Sequence, residues 1–428
     1  MTIRLAFLAL FVIIIASTVL NILAMSFEDI SSITKSNTFK QISTACNDFT
    51  NSLYKTLAVS ADKNIIISPF SLHMILSLLS NGAGGSTLDE LRSALGYNNK
   101  DNDKESLNDE FKALIVLLND MENVTLNIAN AAYIQKEVDL MGDFLSICMN
   151  IFQSAISKIN FKNNVHAAET INLWVQMATH NKISDIISPD DISIDTNFIL
   201  VNAIYFKSRW LKPFKEEDTQ LREFHISKTE ICLVPTMYKK ATYSYGEVPA
   251  WNTQFIEIPY LNEKIVMIIL LPDKEVELQV IENNFNWETL VKTHRFRDDF
   301  ELYLPKFKFE IAINLKDILN KIGLNSMFKD NCDFSRLSQF PLKVNNVLQK
   351  IFIDVNEQGA EAAAVTAVEM RLKRMAIEPM EFIVDRPFMF AIEHKPTRIP
   401  LFLGSVRKLN ASNSPISVKD GTNIKDEL

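Results

Sequence analysis

Three cations occupy four consecutive positions at Arg371-Leu372-Lys373-Arg374, just after a run of small residues. Arginine presents a planar fork of donors that pairs bidentately with a carboxylate, a geometry lysine cannot copy. Such a quartet suits an acceptor with several acidic pockets in a row. In a loop it reads as bait for a protease, as a processing site, or as an ordinary solvated segment. Its surroundings have to decide between them.

The rest of the chain offers little chemistry of its own. It contains no GxSxG, GxGxxG, P-loop or HExxH pattern. His73, His166, His180, His225, His294 and His394 are widely separated, with no pair at helical spacing that could hold a metal. Each reads as a structural or surface histidine. Cys46, Cys148, Cys232 and Cys332 are scattered without a CxxC pair, so neither a zinc site nor a thioredoxin-like motif is supported. Buried free thiols are at least as well supported as bridges. No nucleophile–base arrangement stands out, so the chain reads as a non-enzyme with no metal and no cofactor. Its 428 residues, 47% hydrophobic and 22% charged, suffice for an extensive core. A net charge of −8 and the lack of a basic patch with interleaved aromatics argue against a nucleic-acid partner.

The elements that would carry the quartet are legible in part. In the stretch from Ser68 to Gly96, Ser68 is a natural N-cap and Pro69 fits the first helical position. Phe70, Leu72, Ile75, Leu76, Leu78 and Leu79 then form a wide buried face, and Asn81-Gly82 ends the helix. Thr87 and Glu90 have the spacing of a capping box for a second helix, with Gly96 placed for a left-handed end. Ile265–Pro272 and Leu348–Val355 read as buried strands, and Phe255–Tyr260 alternates like a half-buried one. "RPFMFAIEH" and "PLFLGSVRKL" are strand-like too. Helices dominate early and strands late, an α+β arrangement. No Gly/Ser run, Pro-rich spacer or repeat divides the middle, which favours one large domain over residues 26–410.

The ends speak for a compartment. Residues 1–25 carry one cation, Arg4, then an apolar run and small residues, the order of a secretory signal peptide. Lys425-Asp426-Glu427-Leu428 closes the polar tail 411–428 and is the address read by the retrieval receptor of the endoplasmic reticulum. No later apolar run has membrane length, so no stable membrane insertion is expected after removal of the leader. The expected location is the lumen of the endoplasmic reticulum and early secretory pathway, with some secretion open. Asn123-Val124-Thr125 and Asn410-Ala411-Ser412 are acceptor sequons that fit it.

Six blocks in order carry a family resemblance. They are "NIIISPFSLHMILSLLSNGAGGSTLDEL", "INLWVQMATHNKISDII", "LVNAIYFKSRWLKPF", "LPKFKFE", "NEQGAEAAAVTA" and "DRPFMFAIEH". Together they resemble the serpins over roughly residues 39–409. Ser208 stands where a glycine is usual, and Ala360 where a hydroxyl residue is commoner. The resemblance implies helices packed around three β-sheets, with an exposed reactive loop at about residues 357–380. It also implies a monomer that acts as a serine protease inhibitor. The loop's hinge would hold Glu357, Gly359, Ala360, Ala362, Ala363, Ala364 and Thr366.

The hinge residues have the pattern of a strand in waiting. Ala360, Ala362, Ala364, Thr366 and Val368 form one set of small, mostly apolar side chains for a core. Glu361, Ala363, Val365, Ala367 and Glu369 form the other, expected to face solvent. No proline interrupts them, and Gly359 lends backbone freedom at the start. Arg371-Leu372-Lys373-Arg374 resembles the R-x-K-R sequence recognised by furin-like proprotein convertases, with the scissile bond between Arg374 and Met375. The usual family spacing from the hinge glycine would instead place that bond after Lys373. A trypsin-like protease needs only one cation and has three to choose from. The expected partners are these proteases and the retrieval receptor.

Overall fold

Two β-sheets, each with both antiparallel and parallel pairs, and the helices packed on them make up the molecule. The computed structural model describes residues 37–59, 62–97, 104–359, 379–409 and 416–417. The proposed leader, the loop positions from Ala360 to Met375, Asn410 and the terminal Lys425–Leu428 lie outside these residues.

The first half is mainly helical. Helix α1 (Asn37–Ala58) is followed by strand β1 (Ile65–Ile67) and helices α2 (Pro69–Gly82), α3 (Gly85–Ala94) and α4 (Lys104–Asn119). Then come β2 (Val124–Gln135), α5 (Gly142–Asn150), β3 (Ala155–Ile159), α6 (Asn164–Ala178) and β4 (Phe198–Ser208). Strands dominate thereafter: β5 (Gln220–His225), β6 (Glu230–Val248), β7 (Thr253–Pro259) and β8 (Ile265–Pro272), two short helices α7 (Leu278–Asn284) and α8 (Trp287–Lys292), then β9 (Phe296–Pro305) and β10 (Phe307–Asn314). Helix α9 (Lys316–Lys321), β11 (Asn346–Val355), β12 (Met380–Ile383), β13 (Phe388–His394) and β14 (Ile399–Val406) complete the α+β order.

Helix α2 starts at Pro69 as its sequence predicts, with Ser68 in the extended N-cap position, but the Ser68 hydroxyl makes no capping bond. The helix is buried almost all round, as befits one that packs against α1, β4 and β14 at once. The capping box expected for α3 is not formed. Its N-cap is Gly84, and Thr87 accepts a hydrogen bond from the Asp333 amide at 2.9 Å. The Glu90 carboxylate instead receives the amides of Asn325 and Ser326, at 2.8 and 2.6 Å, and the Ser326 hydroxyl at 2.6 Å. The i, i+3 spacing was right for a cap, but a distant turn competes for both side chains. Gly96 takes the predicted left-handed conformation, φ +80°.

The strands are hydrogen-bonded into two sheets, one of five in the order β10-β11-β4-β2-β3 and one of ten whose path runs β1-β14-β13-β8-β7-β6-β9-β12, with β5 and the two-residue strand β15 (Ile416–Ser417) also paired to β6. The resemblance implies three; the 19-residue β6 joins two of them, because it pairs with β5 and β9 along most of its length and with β7 at its end. Strand β7 is not half-buried as its alternation suggested. Phe255, Ile256, Glu257 and Ile258 are all buried, because Glu257 finds Arg295 at 2.9 Å and need not reach solvent. Cys46, Cys148, Cys232 and Cys332 are free, the first three buried, and His73 and His394 are fully buried. Among the described residues no cluster of His, Cys, Asp or Glu has metal-site geometry, and no helix is long and apolar enough to cross a membrane.

Candidate functional site

The five-stranded sheet has two parallel pairs, β2–β3 at its edge and β4–β11 inside it. Strand β11 runs alongside β4 from Asn346↔Ile199 to Phe352↔Tyr205, while β10–β11 and β2–β4 are antiparallel. Parallel pairing has slanted hydrogen bonds and is slightly less stable per residue. Here it has added fastening. Gln349 and Asn202 face each other across the seam, and Gln349 Nε2 donates to Asn202 Oδ1 at 2.7 Å and to the Ser68 carbonyl at 3.1 Å. The Ser68 amide returns a bond to Gln349 Oε1 at 3.1 Å. Ser71 Oγ and Asn202 Nδ2 continue the chain, to Asn202 Oδ1 at 2.8 Å and to Asn130 Oδ1 at 2.6 Å. All five residues are buried. One network therefore ties β11, β4, β2 and the start of α2 together. Sequence reading missed it, although a lone amide inside "ILVNAIYF" and another inside "VLQKIFI" were the available signal.

At the end of the seam the chain turns out of β11 through Asn356–Gly359. The segment after β4 receives this turn carbonyl by carbonyl. Trp210 Nε1 donates to the Asn356 carbonyl at 2.8 Å, the Phe214 amide to Glu357 at 2.8 Å, and the Trp210 amide to Gln358 at 3.2 Å. The indole of Trp210 lies stacked on Tyr260, centroids 4.4 Å apart. Gly359 has φ +86°, and a Cβ there would come within 2.5 Å of the Ser208 carbonyl oxygen and the Trp210 nitrogen. Both facts require glycine at this position. Ser208, where the family usually has glycine, fits because its hydroxyl reaches the Asn123 carbonyl at 3.4 Å.

Glu357 holds the turn from the side. Its carboxylate pairs with Lys306 Nζ at 2.8 Å and accepts from Thr219 Oγ1 at 2.8 Å. Burial alone would raise its pKa, but the bonds from Lys306 and Thr219 outweigh that and hold the carboxyl below its ordinary range. Of the expected hinge residues, Glu357 and Gly359 are thus found at the top of the seam. The far end of the loop region is anchored elsewhere. Strand β12 pairs in parallel with β9 at an edge of the ten-stranded sheet, and the Val384 amide donates to the Tyr303 carbonyl at 2.9 Å. Asn123 is exposed in a left-handed turn before β2, φ +61°, an accessible place for the sequon.

The two faces of the seam differ from expectation in one respect. On one face Leu200, Ile204, Val347 and Ile351 join the main core. On the other, Val201, Ala203, Tyr205, Leu348 and Phe352 pack in one cluster with Ala167, Ile171 and Val175 of α6. The second face is therefore covered by a helix along this length and is not open to solvent. A strand entering here would need apolar side chains in both directions at its middle, with any charges kept to its ends.

The serpin family profile, described as "Serpin (serine protease inhibitor)", matches residues 44–409. Antitrypsin of Bombyx mori is 36% identical over 337 residues, 77% of this chain and 85% of that protein. Serpin48, described as a highly specific serpin of Tenebrio molitor, superposes with a TM-score of 0.79 at 31% identity, covering 86% of this chain and 98% of that one. Human thyroxine-binding globulin, solved with its hormone, also has a TM-score of 0.79 at 30% identity, covering 87% and 99%. The chain belongs to the serpin family.

Proposed function

We propose that this serpin traps a serine protease of the furin-like convertase class within the early secretory pathway, by becoming a strand of its own sheet after the loop is cut. The observation that carries the reading is the parallel seam between β4 and β11, whose exit at Gly359 leads into Ala360–Ala367. A chain folding back into that seam is antiparallel to both neighbours, the better-bonded arrangement on each side. The protease's serine oxygen attacks the carbonyl carbon of Arg374. The Arg374–Met375 bond breaks, the Met375 amine leaves with the proton, and an ester remains. Insertion from Gly359 to Arg374 spans fifteen residues, on the order of 50 Å at ~3.3 Å each, so the esterified protease is dragged along and its deacylation geometry deformed. Ordering the segment costs about 1–2 kcal/mol per residue. Ladder bonds return about 1 kcal/mol each, leaving apolar burial to supply the surplus.

Arg371-Leu372-Lys373-Arg374 supports the choice of convertase, and Lys425–Leu428 supports the compartment, with the retrieval receptor as second partner. The test mixes the protein, freed of its leader, with a furin-like convertase on a denaturing gel. A band at the summed mass, with peptide sequencing placing the bond after Arg374 or Lys373, is the expected result. Arg371→Ala should lose that band while keeping one with a trypsin-like protease. Ala362→Pro, which denies a ladder bond, should give clipped protein only. Clipping of the wild type without any complex would sink the trap.

The antitrypsin relative favours a second reading, a trypsin-like target that needs a single cation. A complex with a trypsin-like protease that survives Arg371→Ala, with none formed by the convertase, would support it. The globulin relative, named for a hormone, keeps open a binding role without inhibition. Failure of loop cleavage to raise thermal stability would point there.

A further inference from the structure

A cleft separate from the seam opens where α2, α3 and the first turn of α4 meet, with an empty volume of about 400 Å³. Three cations line it: Arg92 of α3, Lys104 of α4, and Arg336 from the loop before β11. Among the described residues no carboxylate does. Among the described residues, neither Arg92 nor Arg336 has an ion-pair partner or donates a side-chain hydrogen bond. Asp333 does act on Arg336 electrostatically. Its carboxylate, however, accepts the Ser335 amide at 3.0 Å and lies against Gly84, and it does not line the cleft.

Like charges gathered in one cleft repel one another and raise the energy of the folded state. Partial burial, followed by repulsion from Arg336 and Arg92, holds Lys104 below the ordinary lysine range. Its Nζ has one neutral acceptor, the Asn81 carbonyl at 3.2 Å.

The wall opposite the cations is polar and fixed. Asn81 and Asn108 exchange amide bonds at 3.1 and 3.0 Å, so neither is free to swing. The Tyr97 hydroxyl is buried yet has only distant neighbours, Ser77 Oγ and His73 Nε2, both at 3.5 Å. It is a spare donor beside the cations.

We propose that this cleft binds a small tetrahedral dianion, phosphate or sulfate, free or as the head of a monoester. Arg92 and Arg336 supply bidentate pairing, Lys104 a point charge, and Tyr97 a neutral donor. Occupancy would relieve the repulsion among the cations and satisfy donors that otherwise have no acceptor.

The experiment titrates inorganic phosphate into the whole protein by calorimetry at constant chloride-balanced ionic strength, with Arg92→Gln/Arg336→Gln as comparison. Saturable one-site binding by the wild type, weakened about tenfold or more in the double variant, is the expected result; two lost charge-assisted bonds suffice for such a factor. Melting of both proteins in phosphate-free buffer tells a lost site from a weakened fold. An alkyl phosphate that binds at least as tightly as the free ion would place the group on an ester; a weaker one would assign the free ion. No saturable heat, or equal affinity in the double variant, would overturn the site. Neither outcome bears on protease trapping, which depends on different residues.

Discussion

The seam between β4 and β11 and the block formed by β8, β13 and β14 are both buried, yet they are held by different means. In the block, Met389–Ile392 lie antiparallel to Leu270–Met267 in unbroken register, and every side chain there is apolar and fully buried. Volume and area stabilise it. In the seam, the strands are parallel and a five-residue polar network crosses them. Directional side-chain bonds stabilise it in addition to its ladder. That stretch of the block has no such network. The proposed insertion would open the seam and leave the block in place.

Three substitutions test that contrast, beginning with the largest effect. Phe390→Ala, in the block, should cost about 3–5 kcal/mol in urea denaturation, through lost transfer energy and the cavity left behind. Gln349→Leu, in the seam, fills similar space but strands the Ser68 amide and takes one bond from Asn202, which keeps Ser71 and Asn130. It should cost about 1–3 kcal/mol and raise the rate of opening more than it lowers global stability. If hydrogen exchange in β4 and β11 does not accelerate, the network is not what closes the seam.

Glu357→Gln gives the smallest effect, about 1–2 kcal/mol, because Lys306 keeps some access to water. This difference carries a pH signature. A carboxyl whose folded pKa is depressed contributes stability above its unfolded value, and the contribution disappears as pH falls through the folded one. The gap between wild type and Glu357→Gln should therefore be constant above the ordinary value of 4.5 and close below it. A gap that persists in strong acid would mean that packing, not charge, holds the turn.

Local patterns were the readable part of this sequence. Ile265–Pro272 is a strand with its predicted bounds, and Ser68-Pro69 opens a helix, because runs of apolar residues and fixed φ angles act over a few positions. What escaped was every partner far away in sequence. Gln349 and Asn202 are 147 positions apart, and Glu90 serves a turn 236 positions away at Ser326, so no local rule could pair them. Glu257 reads as a solvent-facing strand residue until Arg295 is known to lie beside it. The α6 cover over the seam was invisible for the same reason, and it changes which loop side chains an inserted strand could accept. Gly359 has a conformation that demands the residue found there.

The stacking of Trp210 on Tyr260 has a practical corollary. Of four tryptophans, Trp210 hydrogen-bonds the turn that leaves the seam, and Trp174 sits edge-on to Tyr133 of β2 on the helix that covers it. Trp251 and Trp287 pack around Phe285 in a different part of the core. Any motion that parts β4 from β11 must pull an indole from its stack or strip its acceptor, whereas the other two keep their surroundings. The protein thus carries its own optical gauge, and its unlabelled emission should report, in real time, whether the sheet is open or shut.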